Sequence, residues 1–266
     1  MISQAELKRV RALQQKKVRL ETRRFLVQGR KVVAELLASS LRTEAVYATE
    51  EAAAWIRPAA AGRGAPVHVL APHALERLGT LDTGNELVAV ALEPDAPPFR
   101  APAAGELMLA LDDVHDPRNM GGLLRIADWF GVTRVMCSPD CIEIYNPKVV
   151  GATMGSLFRV EVRSAPLLDE LRACAAAGAR IFLAHMEGTP VFQATLARPA
   201  VLVLGSESHG LSAALRALDA QAIAIPRVGG AESLNVAMAA AALCTEFARQ
   251  ALAGPRPAPA APPRRA

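Results

Sequence analysis

From residue 105 to 253 the chain alternates short, continuously apolar runs with stretches of helical period. LMLALDDV, RVMCSP, RVEVR, ARIFLAHM, AVLVLGS and QAIAIP read as strands. NMGGLLRIADWFG, PKVVGATMGSL, LLDELRACAAAG, GLSAALRAL and SLNVAMAAAALCTEFARQAL read as helices. Strands that are apolar along their whole length are buried on both faces, and the helices between them provide the crossovers that parallel strands need. The pattern predicts an α/β fold: a parallel sheet with helices on both faces, whose ligand site lies beyond the carboxyl ends of the strands.

The rest of the chain is organised around this block. EPDAPPFRAPAAG is rich in Pro and Ala, disfavours both helix and central strand, and predicts a linker at 94–104. Upstream, residues 1–93 open with a basic helical stretch. The helix FLVQGRKVVAELLAS and the strands EAVYAT, APVHVLA and NELVAVALE follow, a smaller α/β/α layer domain with its core expected from Phe25 onward. Downstream, 254–266 is Pro- and Arg-rich and predicts a disordered tail.

Charge separates along the same lines. The net charge is +4, yet residues 1–31 alone hold ten Lys/Arg against two acids, which leaves the body mildly acidic. A cationic front end suits an anionic partner such as nucleic acid, although a solvated helix face would look the same. No apolar run reaches the ~18–20 residues of a membrane span. The opening residues lack an apolar h-region, so no secretory signal is expected. Four cysteines, Cys137, Cys141, Cys174 and Cys244, show no metal spacing, so reduced, buried thiols, a cytoplasmic location and no metal are expected.

Three loops at strand ends carry the polar and small residues: 112–131, 204–212 and 225–235. Loops on a rigid scaffold are where binding residues collect. Gly205 and Gly210 have the spacing of a phosphate loop, but Leu211-Ser212 replaces the lysine such a loop requires. No dinucleotide glycine fingerprint follows the first strand of the block, and no zinc-protease or serine-hydrolase pattern is present.

The loops together resemble the SpoU/TrmH family of SPOUT methyltransferases. Asp116-Pro117-Arg118-Asn119-Met120-Gly121-Gly122 with Arg125 is similar to the family's first motif. Leu204-Gly205-Ser206-Glu207 with Gly210-Leu211-Ser212 is similar to the second, and Ile225-Pro226 with Glu232-Ser233-Leu234-Asn235-Val236 to the third. Tyr145 to Leu157 also resembles a family stretch, and the first block, with Phe25 to Gly29, resembles a ribosomal-protein-like domain that binds substrate RNA. Gly151 stands where many relatives carry a basic residue, which leaves the choice of target open.

The resemblance implies transfer of a methyl group from S-adenosylmethionine to a ribose 2′-hydroxyl of structured RNA, rRNA or tRNA, by a homodimer containing a deep trefoil knot. A base-methylating SPOUT relative and a noncatalytic RNA-binding or ribosome-assembly protein are the competing readings; the intact Asn119/Arg125 motif speaks against the first and the intact cofactor loops against the second. By the resemblance, Leu204, Gly205, Ile225, Gly230 and Leu234 hold the cofactor, and Arg125, Asn119, Glu207, Ser233 and Asn235 form the catalytic set. Arg125, placed by its spacing on an inward stripe from Leu124 to Trp129, would clamp phosphate and stabilise the developing oxyanion, since guanidinium is a poor base. Each assignment has a plainer alternative. Arg125 could pair with Asp128 or Glu207, Asn119 or Ser233 could cap a helix, and Ile225 and Leu234 could be core. His115 and His209 read as loop histidines. For the homodimer, the last helix offers Val236, Ala240, Leu243 and Phe247 as a contact stripe.

Overall fold

Residues 2–80, 85–206 and 209–253 are described by a computed structural model; the expected tail, 254–266, and Glu207 lie outside them. The basic opening forms two helices, α1 (Gln4–Ala12) and α2 (Lys16–Thr22). Ser3 begins α1 by accepting a hydrogen bond from the Glu6 amide, satisfying a donor the helix itself leaves open. The first sheet contains β1 (Arg24–Gln28), β2 (Thr43–Ala48), β3 (Val67–Val69) and β4 (Leu87–Leu92), in the order β1-β4-β2-β3. Strand β4 runs antiparallel to both its neighbours, and β3 is parallel to β2.

Successive residues of a strand point to opposite faces, and β1 shows it. Phe25 and Val27 join the core under α3 (Arg30–Ala38) and α4 (Glu50–Gly62). Leu26 packs on the other face with Val10 and Leu13, and with Leu75 and Leu78 of α5 (Pro72–Leu78). The core of this block therefore starts at Val10, earlier than the Phe25 expected from sequence.

The second sheet is wholly parallel, as expected. Its strands are β5 (Leu107–Leu111), β6 (Arg134–Cys137), β7 (Glu161–Ser164), β8 (Arg180–Pro190), β9 (Ala200–Leu204) and β10 (Gln221–Ala224). They lie in the order β10-β8-β9-β5-β6-β7. One face is covered by α6 (Pro117–Trp129), α7 (Pro147–Thr153) and α10 (Val236–Ala253). The other is covered by α8 (Leu167–Ala176) and α9 (Ala213–Arg216). Helices α6 and α7 approach so closely that a Cβ on Gly121 would sit 2.3 Å from that of Ala152.

Two expectations change. Helix α10 begins at Val236, after Ser233, and its stripe of Val236, Ala240, Leu243 and Phe247 is buried within this chain. Phe247 meets Phe182 edge-on, ring centres 5.3 Å apart. That stripe is core and cannot also be a subunit contact.

The connection from β4 to β5 has no regular structure but is strapped down. Arg134 donates to the carbonyls of Arg100 (2.6 Å) and Ala101 (3.3 Å) and pairs with Glu106; Arg163 donates to that of Pro97 (2.8 Å). The two sheets also share one buried apolar cluster, in which Phe25 faces Tyr145 at 4.5 Å between ring centres.

At this junction lies a buried ion pair. Arg19 of α2 is 2% exposed. Its Nε and Nη2 donate to the Glu143 carboxylate, and Nη1 donates to the carbonyls of Leu13 and Gln14, both at 2.9 Å. Removing one partner of such a pair leaves a charge stranded away from water. Arg19→Met should destabilise the chain by about 3–5 kcal/mol in chemical denaturation, and Arg19→Met with Glu143→Gln should recover part of that loss.

Candidate functional site

The site is assembled where β5 and β9 end side by side. Leu111 is opposite Leu204 in register. The next residue, Asp112, is buried; its amide donates to the Leu204 carbonyl, and its carboxylate accepts from the Ser212 amide, both at 2.8 Å. One side chain thus ties the first loop to the second. Asp113 turns the chain with φ +59°, a left-handed conformation Asp tolerates better than most residues. Its amide donates to Ser138 Oγ, and its carboxylate holds His115 Nε2 at 2.7 Å.

Helix α6 then starts, with Asp116 accepting from the amides of Arg118 (2.7 Å) and Asn119 (3.0 Å), and Pro117 in the first turn. Asp116 is the cap, so Asn119 is released from that role. Its Oδ1 accepts from Asn235 Nδ2 at 2.7 Å. Asn235 in turn caps α10, with Oδ1 accepting from the amides of Ala237 (2.9 Å) and Met238 (3.3 Å). Two residues 116 positions apart in sequence are thereby joined across the first and third loops. Ser233, a candidate cap for α10, is an exposed loop residue.

The second loop closes on itself through a short bridge between Ser206 and Gly210. Gly205 lies so close beneath it that an added Cβ would be 2.3 Å from the Gly210 carbonyl carbon and 2.5 Å from the Leu211 nitrogen. In the third loop Ile225 packs partly against the core, whereas Leu234 is 52% exposed and Val228 fully exposed. Leu234 is therefore not core. Gly230 has open space about it.

Arg125 departs most from expectation. It is exposed, as is Trp129 (83%), so the inward face of α6 is carried instead by Met120, Leu123, Leu124 and Ala127. Arg125 makes no hydrogen bond or ion pair with a described residue. Asp128, one suggested partner, is occupied by Arg159 and Ser156. Burial pushes its carboxyl up, but those two contacts outweigh burial and hold it below the usual range. The arrangement therefore offers a guanidinium free to take an anion, an amide pair fixed between loops, a loop of close-set backbone at the carboxyl end of β9 and an open loop at that of β10.

Sequence reasoning missed Asp112 and the Asp113–His115 pair. Asp112 had a signal, an acid directly following a fully apolar strand. The cap was also legible, since Pro at the first helical position singles out the residue before it.

A parallel sheet with these loops at its carboxyl ends, preceded by a small α/β domain, makes a two-part architecture with a ligand site at the strand ends. The chain belongs to the SpoU rRNA methylase family, whose profile matches residues 106–245. An MRM3-like substrate binding domain matches residues 4–89. The 23S rRNA (guanosine(2553)-2′-O)-methyltransferase RlmP of Bacillus subtilis is 30% identical over 235 residues, covering 87% of this chain and 91% of its own. The 23S rRNA (uridine(2479)-2′-O)-methyltransferase of Streptomyces viridochromogenes is 33% identical over 194 residues, 70% and 68% of the two chains. The solved structure of the SpoU methyltransferase AviRb from Streptomyces viridochromogenes, in complex with AdoMet, superposes with a TM-score of 0.86 at 28% identity, covering 95% of this chain and 100% of that one.

The tight seat of Gly205 makes a direct test. Gly205→Ala must push the Ser206–Gly210 bridge outward, and strain of ~1–3 kcal/mol should weaken S-adenosylmethionine binding by about tenfold to a hundredfold. Calorimetric titration checks this, with circular dichroism to verify that the fold persists.

Proposed function

We propose that this chain transfers the methyl group of S-adenosylmethionine to a ribose 2′-hydroxyl of ribosomal RNA. The observation that carries the reading is the Asn119–Asn235 bond between two loops, on the same helix as an exposed Arg125 with no described partner. Membership of the SpoU family and two relatives named for 23S rRNA 2′-O-methylation support it.

Leu204 and Gly205, with Ile225, Gly230 and Leu234, would hold the cofactor. The close backbone of the second loop, and the open, partly apolar third loop, suit an adenosine held by main-chain donors and apolar contact. When bound, S-adenosylmethionine supplies a sulfonium methyl group that is already electrophilic. The chain's task is then chiefly alignment. Arg125 grips RNA phosphate and stabilises charge developing on the 2′-oxygen, a task for which its planar fork of donors is suited. Asn119 and Asn235 hold the first and third loops in fixed relation beside it. Glu207 is assigned to orient Arg125 or neighbouring backbone, and Ser233 to hydrogen-bond at the loop. The second and third loops would form the knot that the family resemblance implies.

The division at 94–104 separates an RNA-binding domain, 1–93, from the methyltransferase domain, 105–253. The proposed site of action is the cytoplasm. A homodimer is also proposed. With the α10 stripe committed to the core, its support is the exposed apolar side chains Trp129 on α6 and Met238 (66%) on α10, two helices that pack together.

Arg125→Lys keeps the charge but loses the fork. Methyl transfer should fall by ~10²-fold, the scale of one lost oxyanion donor, with S-adenosylmethionine affinity nearly unchanged. Tritium transfer from labelled cofactor to rRNA and calorimetry measure the two; full activity in the variant would make Arg125 structural.

The front end is testable in the same way. Arg9, Arg19, Arg23, Arg24 and Arg30 are taken by carboxylates of this chain. Lys8, Arg11 and Lys16 are exposed without a described partner, and Lys17 is 3.9 Å from an exposed Glu21. Replacing these four by Gln should flatten the dependence of log K for RNA on log salt by about three to three and a half units, at roughly 0.7–0.9 for each of four phosphate contacts. Substitution is a cleaner test than truncating residues 1–22, which would strip Val10 and Leu13 from the core.

A further inference from the structure

Arg159 ties the helix that carries Arg125 to the substrate domain. It follows a single helical turn, Ser156–Phe158, just after α7. Its Nε donates to both carboxylate oxygens of Asp128 on α6, at 3.2 and 3.0 Å, and its Nη2 donates to Oδ2 at 2.8 Å. Ser156 Oγ donates to the same Oδ2 at 2.8 Å. On the other side of the guanidinium, Nη1 donates to the Glu35 carboxylate of α3. Helix α3 can come this near because Gly155 has φ +99° and no side chain. An added Cβ there would be 2.7 Å from Glu35 Cβ.

Asp128 stands three residues after Arg125 on α6. Residues so spaced are neighbours on a helix surface, and opposite charges there attract. Arg125 is exposed with no described partner, so its freedom depends on what occupies the Asp128 carboxylate. Arg159 covers both oxygens of that carboxylate, and Glu35 holds Arg159 from behind. We infer that Arg159 is a positioning residue for methyl transfer, one that occupies Asp128 and so leaves Arg125 to the RNA. The inference rests on the methyl-transfer reading given above. In this role Arg159 touches neither RNA nor cofactor; it acts through Asp128.

The size of the effect follows from exposure. The Asp128 side chain is 25% exposed and Arg125 is exposed, so a pair between them is partly screened by water. Such a pair would keep Arg125 from phosphate for part of the time, a loss of roughly twofold to fivefold. Two substitutions separate this role from a merely structural one, because both break the same ion pair. Arg159→Met releases a charged carboxylate beside Arg125. Asp128→Asn leaves no charge there to take it.

The test uses the full chain, tritiated S-adenosylmethionine and rRNA, with chemical denaturation to verify that each variant folds. Arg159→Met should lower kcat/KM by the stated factor. Asp128→Asn should cost little, and the double variant should recover to the level of Asp128→Asn. Calorimetry should give the same S-adenosylmethionine affinity in all of them. Phenylglyoxal reads the same step without RNA. It attacks a free guanidinium faster than a paired one, and trypsin does not cut after a modified arginine, so the peptide spanning Arg125 reports the labelling by mass. Labelling of Arg125 should slow in Arg159→Met and recover in the double variant. If the unsubstituted chain transfers no methyl group, the methyl-transfer reading fails, while the labelling still decides whether Asp128 takes Arg125. Equal losses in the two single variants, no recovery in the double variant, or labelling of Arg125 that Arg159→Met does not slow would each overturn the proposal.

Discussion

Asp112 is the side chain on which the site most depends. The loops that form it have little regular structure, so nothing in a helix or ladder fixes their spacing. A buried carboxylate can do so because it must find donors: left unpaired it would cost several kcal/mol. Asp112 finds the Ser212 amide, at the far end of the second loop, while its own amide is held by Leu204. The Asn119–Asn235 bond repeats the device between the first loop and the third. Three segments distant in sequence thus reach one place through two side-chain links.

The substrate domain is attached with comparable firmness. The Arg19 guanidinium is satisfied on every side, by Glu143 and by two carbonyls of its own domain. Glu143 lies on the segment that also carries Cys141 and Ile142, both bonded to Val114. The basic domain and the first loop therefore both rest on the same short stretch, 138–146, so its conformation bears on both.

The interior strands of the second sheet were legible from apolar continuity, because burial on two faces leaves no room for alternation; the edge strand β7, Glu161–Ser164, is the exception, with charged residues on either side of Val162. The site was legible in its parts and less so in its contacts. Arg19 is one cation among ten in the opening stretch, and nothing local sets it apart; its burial depends on a carboxylate 124 residues away. Helical spacing alone could not decide whether Arg125 faces inward, since the stripe beginning at Leu124 turns outward by Trp129. Core packing was the plainer alternative to a cofactor contact for Leu234, yet it stands exposed in a loop that leaves the sheet at Ile225. In α10 the apolar stripe was read correctly and its partner wrongly. Periodicity reveals a buried face without saying whether this chain or another covers it.

The strapped connection between the halves has a further effect on the molecule. Strand β7 is the last in its sheet, and one margin of its backbone has no neighbouring strand. Such a margin can recruit a strand from another molecule. Here Pro97, Pro98 and Phe99 share a shallow cleft with Glu161 and Arg163 of β7, and Arg163 holds the Pro97 carbonyl. Prolines have no amide hydrogen and cannot extend a ladder. The other walls of that cleft are Met108 of β5, Met136 of β6 and Glu170 of α8, so the segment that joins the two domains lies over the α8 face of the sheet and is held there by a side chain of its last strand.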